Sequence, residues 1–311
     1  MTEFDHVRWL SRPTMRNPVI VTAFTGWNDA ADAASTAVRT LIEAWSAIPL
    51  AEIDPEGFTD FANIRPIVRL KDGVTRTIVW PTVTMWHAST PGSDVILVLG
   101  PEPSLRWRLF TEQILSVASY FNASMMISLG ALLADVPHNK PIQLIGTASD
   151  STMIERFDLQ RSQYEGPTGI LGVLLDACND ASLPSASLWA AVPAYASQVP
   201  SPKAAAALIT RAGEIIGTPA PVGLLQQAIQ TYERRVNQIV EEDEDLAAYV
   251  ERLDSTGEGD YTEFDDGDSD DNDEDRDDGQ LSFDFDDDSA EVSATSLVDE
   301  VEQFLRDQEK P

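Results

Sequence analysis

Apolar residues along this chain fall into short continuous runs separated by longer stretches with one-sided helical spacing. Pro18–Phe24 (PVIVTAF) is β-branched, seven residues long and closed by Thr25-Gly26, which predicts a buried strand. Asp94–Leu99 (DVILVL), Ser124–Leu129, Ile142–Ala148 and Leu188–Val192 predict further strands. Ile64–Leu70 and Thr75–Trp80 flank Lys71-Asp72-Gly73, a turn signature that makes them a hairpin, and Thr82–His87 follows as another strand. Between the strands, Asn28 is placed to cap a helix over about 29–45, and Ser104 to cap one ending near Phe121. Thr168–Asp180 and Ser201–Ile216 carry helical patterns as well.

From Pro221 the pattern changes. Leu224, Leu225, Ile229, Tyr232, Val236, Ile239, Leu246, Val250 and Leu253 are read as one helical face, which predicts a long amphipathic helix with a break near Glu241–Asp245. Strand–helix alternation with one inserted hairpin predicts an α/β fold of three layers, α/β/α, with a mixed, mostly parallel sheet covered on both faces.

Charge divides the chain differently. Of the formal net charge of −31 over 311 residues, residues 1–240 supply −5 (22 acids, 17 bases) and residues 241–311 supply −26 (30 acids, 4 bases). The first part is an ordinary globular composition, and all seven Trp lie within it. Residues 254–290 hold 18 acids and a single base, Arg276, too little apolar surface to offset chain entropy, which predicts an acidic disordered linker. In residues 291–311, Ser296 with Asp299 resembles a capping box, and Leu297, Val298, Val301, Phe304 and Leu305 share one face of a short amphipathic helix suited to a protein partner. The expected domains are therefore 1–253, 254–290 and 291–311. Gln280–Phe285 (QLSFDF) is the apolar island in the acidic run, and it is similar to the short peptides that dock on bacterial sliding clamps. A six-residue match of that kind also arises by chance.

This balance argues against nucleic acid as a partner, since phosphate binding needs clustered Lys and Arg. One cysteine, Cys178, forbids an intrachain disulfide and fits a reducing, cytoplasmic setting. No signal peptide and no membrane span is expected. P-loop, GxGxxG, HExxH and GxSxG motifs are absent, and the three His residues have unrelated spacings, so neither a metal nor a cofactor is expected. Placing Gly279 at the sixth position of an EF-hand loop puts Arg276 where a carboxylate is required.

What remains is a set of polar and glycine residues at predicted strand ends, where α/β folds build their sites. Asn28, Asp29, Glu102, Arg106, His138, Gly166, Thr168 and Gly169 would form a cleft for a small polar ligand, with the Gly166–Gly169 turn offering helix N–H groups to an anion. A structural reading accounts for the same residues: Asn28 as a helix cap, Glu102 and Arg106 as an i,i+4 pair, Gly166–Gly169 as turn and cap, and His138 as a loop residue.

Taken in order, FTGWNDA (24–30), RPIVRLKDG with TIVWP (65–81), LGPEPSLRWR (99–108), SLGALLADVPH (128–138), EGPTGILGVL (165–174), LWAAVPAY (188–195) and SPKAAAALI (201–209) resemble the proteasome assembly chaperone 2 family. The resemblance runs from residue 18 to about 253 and is closest to the bacterial, actinobacterial-type branch, where a final helix like Leu297–Arg306 also occurs. It implies a phosphorylase/hydrolase-like three-layer fold and self-association into homo-oligomers, a trimer among them. Eukaryotic relatives are non-enzymatic chaperones of proteasome α-ring assembly, which implies a proteasome-related protein partner and no catalytic residue set. Relatives that insert into the α-ring use a C-terminal hydrophobic–Tyr–any tail. This chain ends Gln308-Glu309-Lys310-Pro311 and lacks that tail. Some bacterial members are labelled ATP-grasp-like, but no glycine-rich loop with a lysine supports that here. The leading expectation is an assembly or interaction protein; the alternative is a small-molecule-binding enzyme, ATP-grasp-like or phosphorylase/hydrolase-like, with Glu102 and His138 as acid and base.

Overall fold

A computed structural model describes residues 5–256, all within one compact unit that spans Met1–Thr262. The acidic run beyond 256, the Gln280–Phe285 island and the Leu297–Leu305 pattern lie outside the described residues.

In chain order the strands are β1 (Val7–Trp9), β2 (Val19–Thr25), β3 (Ile48–Ile53), β4 (Ile67–Lys71), β5 (Thr75–Val79), β6 (Val83–Ser89), β7 (Asp94–Pro101), β8 (Met125–Ala134), β9 (Leu144–Ala148) and β10 (Ser185–Pro193). The helices are α1 (Ala33–Ala44), α2 (Trp107–Tyr120), α3 (Ser151–Phe157), α4 (Ile170–Asp180), α5 (Pro202–Ile216), α6 (Gln226–Glu242) and α7 (Glu244–Thr256). Eight strands form one sheet in the order β1-β3-β6-β7-β2-β8-β10-β9, and β4 and β5 form a separate ribbon.

The three layers are present, but the expected mostly parallel sheet is not. Four of the seven strand pairings in the large sheet are antiparallel: β1–β3, β3–β6, β6–β7 and β10–β9. The parallel part is the middle, β7-β2-β8-β10. Parallel neighbours require a crossover, which the helices supply; β6 and β7 are joined by a turn over Thr90–Ser93 and so run antiparallel. Strand alternation in the sequence also passed over β1 and β3. The latter carries Pro49, which the sheet accommodates by a register shift between Pro49 and Ala51.

The middle strands are buried on both faces, which is why β2 and β7 read as unbroken apolar runs. Val21, Leu97, Ile127 and Leu188 pack under α1 and α5 on one face. Ile20, Phe24, Val98 and Met126 pack under α2 and α4 on the other. Helix ends follow local chemistry. Ser201 Oγ accepts from Ala204 N at the start of α5, and Asp243 interrupts the α6–α7 pattern while its Oδ1 accepts from Asp245 N and Leu246 N. Helix α7 continues through Asp254, whose carboxylate accepts from Asn139 Nδ2 at 2.7 Å.

Leu208 lies in the middle of α5, fully buried against α1 and the sheet, whereas Leu224 is exposed. Leu208→Ala is expected to lower the unfolding free energy by about 2–5 kcal/mol. Leu224→Ala should change it by less than about 0.5 kcal/mol. Urea denaturation of both variants measures the difference, and equal effects would contradict this layering.

Candidate functional site

Strand β2 ends at Thr25, and Gly26 turns the chain with φ +121°, a backbone conformation that a side chain would strain. That turn carries Asn28 back over the sheet end, where it is completely buried. Its Nδ2 donates to Glu102 Oε1 at 2.8 Å. Glu102 follows β7, and the same Oε1 accepts from the backbone N–H of Ile170, the first residue of α4, also at 2.8 Å. Gly169 lies against Asn28 so closely that an added Cβ would stand 2.3 Å from Asn28 Oδ1. Two strand ends and one helix start thus meet on one carboxylate oxygen.

Asn28, Glu102 and Gly169 therefore meet at the strand ends and contact one another. Gly166 and Thr168 are exposed in the loop leading into α4, where Tyr164 Oη donates to Pro167 O at 2.8 Å. Helix α4 has no side-chain cap of its own. Its positive amino end, which the sequence offered to an anion, is met by the Glu102 carboxylate.

Asp29 is adjacent but serves a different helix. Asn28 does not cap α1 as expected. The chain first makes a single 3₁₀ turn over Ala30–Asp32, and Asp29 Oδ1 then accepts from Ala34 N at 2.7 Å and Ser35 N at 3.0 Å. Burial raises the Asp29 carboxyl above its ordinary value of 3.8, outweighing the amide hydrogen bonds that favour the charged form.

Arg106 and Glu102 form no i,i+4 pair. Helix α2 begins at Trp107, so Glu102 precedes it, and Arg106 is an exposed residue in the left-handed conformation beside Gly57.

His138 belongs to another cluster. It is buried, and its backbone N–H donates to Tyr195 Oη at 2.8 Å. Its Nδ1 faces the same hydroxyl at 2.8 Å, and its Nε2 faces Asn237 Oδ1 of α6 at 2.7 Å. Burial pushes the Tyr195 phenol up to about 12. Lys203 Nζ donates to His138 O and pairs with Glu233 of α6 at 3.0 Å. These partners, absent from the sequence reading, make His138 a tether for α6.

Among the described residues, no group of three His, Cys, Asp or Glu side chains is placed to hold a metal ion, and no helix is long and apolar enough to cross a membrane. An open groove of about 380 Å³ lies between α5 and α6, lined by Ala206, Ala207, Val222, Ile229 and neighbours without a titratable group. It contains none of the candidate residues.

The PAC2 family model matches residues 23–240, which takes in the end of β2, Asn28, Glu102, the α4 turn and His138. The chain belongs to the PAC2 family. A proteasome-assembly chaperone homologue from Mycobacterium tuberculosis is 44% identical over 75% of this chain and 99% of its own, with a TM-score of 0.68. A PAC2 family protein from Streptomyces avermitilis is 42% identical over the same shares, with a TM-score of 0.69, so this PAC2 chain is of the actinobacterial type. An archaeal proteasome activator from Pyrococcus furiosus shares the fold at 15% identity, covering 75% of this chain and 97% of its own, with a TM-score of 0.61. No curated protein matches the chain.

Glu102→Ala leaves Asn28 Nδ2 and Ile170 N without an acceptor and is expected to cost about 1–3 kcal/mol in urea unfolding. Glu102→Gln keeps the acceptor and should cost about 1 kcal/mol or less, the charge at the helix end being lost. Equal losses would contradict the bridging role.

Asp29 gives a pH test. Because its folded pKa is raised, the stability it contributes is complete below 3.8 and is lost as pH rises through the folded value. Asp29→Asn keeps an acceptor for Ala34 and Ser35 without titrating. Relative to the natural chain, this variant should gain stability as pH rises from 3.8 through the folded value, and a constant difference would contradict the assignment.

Proposed function

We propose that this PAC2 family member acts by binding proteins, as a non-enzymatic assembly chaperone that works as a homo-oligomer, with a proteasome-related partner. One observation carries this reading. Every residue of β4 and β5 is exposed, and among the described residues the two strands pair only with each other.

The ribbon is two-sided. Asp72 and Gly73 both take positive φ at its tip, and the register sets Val68 opposite Ile78 and Leu70 opposite Arg76. Side chains alternate between faces, so Val68, Leu70 and Ile78 share one face, at 52%, 61% and 57% exposure. Val74 at the tip is 83% exposed and Trp80 at the root 46%. A contiguous apolar surface on a projecting ribbon is the kind that a protein contact covers. Among the polar strand-end groups, by contrast, Glu102 and Asn28 are engaged with each other, which supports binding over catalysis. The likeness to the Mycobacterium proteasome-assembly chaperone homologue supports a proteasome-related partner. The tail beyond 256, with its Leu297–Leu305 pattern, would add a second contact.

Size-exclusion chromatography with light scattering should give a mass several times that of one chain, falling to the single-chain mass for Val68→Ser/Leu70→Ser/Ile78→Ser. An unchanged mass for this variant would remove the hairpin from the oligomer contact. Refolding proteasome α-subunits with the protein should raise the yield of rings; an unaltered yield would count against that partner.

A further inference from the structure

The face of the β4–β5 ribbon opposite Val68, Leu70 and Ile78 has a different chemistry. Arg69 stands across from Thr77, and Lys71 across from Thr75, with Ile67 and Val79 at the root. Arg69 and Lys71 make no ion pair among the described residues. Residues 65–76 hold four bases and one acid in a chain whose net charge is −31. Both outer edges of the ribbon lack a strand partner among the described residues, so their N–H and C=O groups form a template for an added strand.

A docking strand must therefore carry apolar side chains at alternate positions and acidic ones between them. The sequence contains such a segment. In Leu281-Ser282-Phe283-Asp284-Phe285-Asp286, the first, third and fifth residues are apolar, and the fourth and sixth are acidic. Paired in parallel to the outer edge of β4, it sets Phe283 and Phe285 beside Val68 and Leu70, and Ser282, Asp284 and Asp286 beside Ile67, Arg69 and Lys71. A slip by one residue reverses both faces, so charge selects the register.

We propose that Leu281–Asp286 of a second copy adds as a strand to the edge of the β4–β5 ribbon. This rests on the self-association through the hairpin proposed above and names what the hairpin receives. The 24 residues between Thr256 and Leu281 can span at most roughly 80 Å of chain, which leaves a neighbouring copy within covalent reach.

Ile67 lies on β4 and on the Arg69 face, and in that register Ser282 stands beside it. Full-length Ile67→Cys and Ser282→Cys chains, distinguished by isotope labelling and mixed under a mild oxidant, should form a disulfide between copies; the natural Cys178 is buried. Arg69→Glu/Lys71→Glu in the first chain should lower the yield roughly tenfold, the scale of two exposed ion pairs turned to repulsion. Asp284→Lys/Asp286→Lys in the second chain should restore it. No disulfide, a yield insensitive to the charge reversal, or no rescue would overturn the proposal. If the disulfide is absent while Val68→Ser/Leu70→Ser/Ile78→Ser still dissociates the oligomer, the strand addition fails and the hairpin contact stands. If that variant leaves the oligomer mass unchanged, the underlying reading fails as well.

Discussion

The carboxylate of Glu102 is the joint on which the strand ends depend. β2, β7 and the start of α4 reach the same place from separate parts of the chain, each bringing polar groups into a crowded sheet end. Asn28 is completely buried there, and its amide needs an acceptor; the first N–H of α4 needs one too. One oxygen serves both, and the negative charge complements the helix dipole. Gly26 permits the turn that delivers Asn28, and Gly169 leaves room for it. The constraint is mutual: with Glu102 held by the helix and Asn28 held by Glu102, the loops after both strands are fixed together.

That closure accounts for where binding capacity lies. The parallel middle of the sheet is sealed by helices on both faces, and its polar end is joined to α4 by internal hydrogen bonds. His138, a candidate acid or base by sequence, is committed to Tyr195 and Asn237 and holds α6 to the body. The antiparallel wing carries the opposite character. Between β3 and β6 the chain leaves the sheet to make the β4–β5 ribbon, which buries none of its strand residues against the described fold. An exposed apolar face has an unfavourable hydration cost unless another surface covers it, so this insertion points toward association.

Much of this was legible in the sequence because its causes are local. The runs at Val19–Thr25 and Asp94–Pro101, the Asp72-Gly73 turn and the break before α7 each follow from neighbouring residues. Less legible were features set by distant partners. Pro49 concealed β3, since the bulge that accommodates it depends on the pairing with β6. Strand direction was misjudged because alternation of strands and helices does not show which strands return by a short turn. Asn28 looked like a cap for the helix that follows, a role that Asp29 takes instead because a single 3₁₀ turn intervenes. The Glu102–Ile170 bond spans 68 residues and has no local signal. The family resemblance had enough residues in order to be right, and it could not show which of them touch.

The central claim is that Glu102 joins the strand ends to α4 while the hairpin faces another protein. A cryo-electron-microscopy map of the assembled full-length protein tests both halves at once. The account predicts density for a neighbouring protein chain along β4 and β5, and Glu102 within hydrogen-bond distance of Ile170 N. Hairpins standing free in solvent, with Glu102 turned toward a bound small molecule, would contradict it.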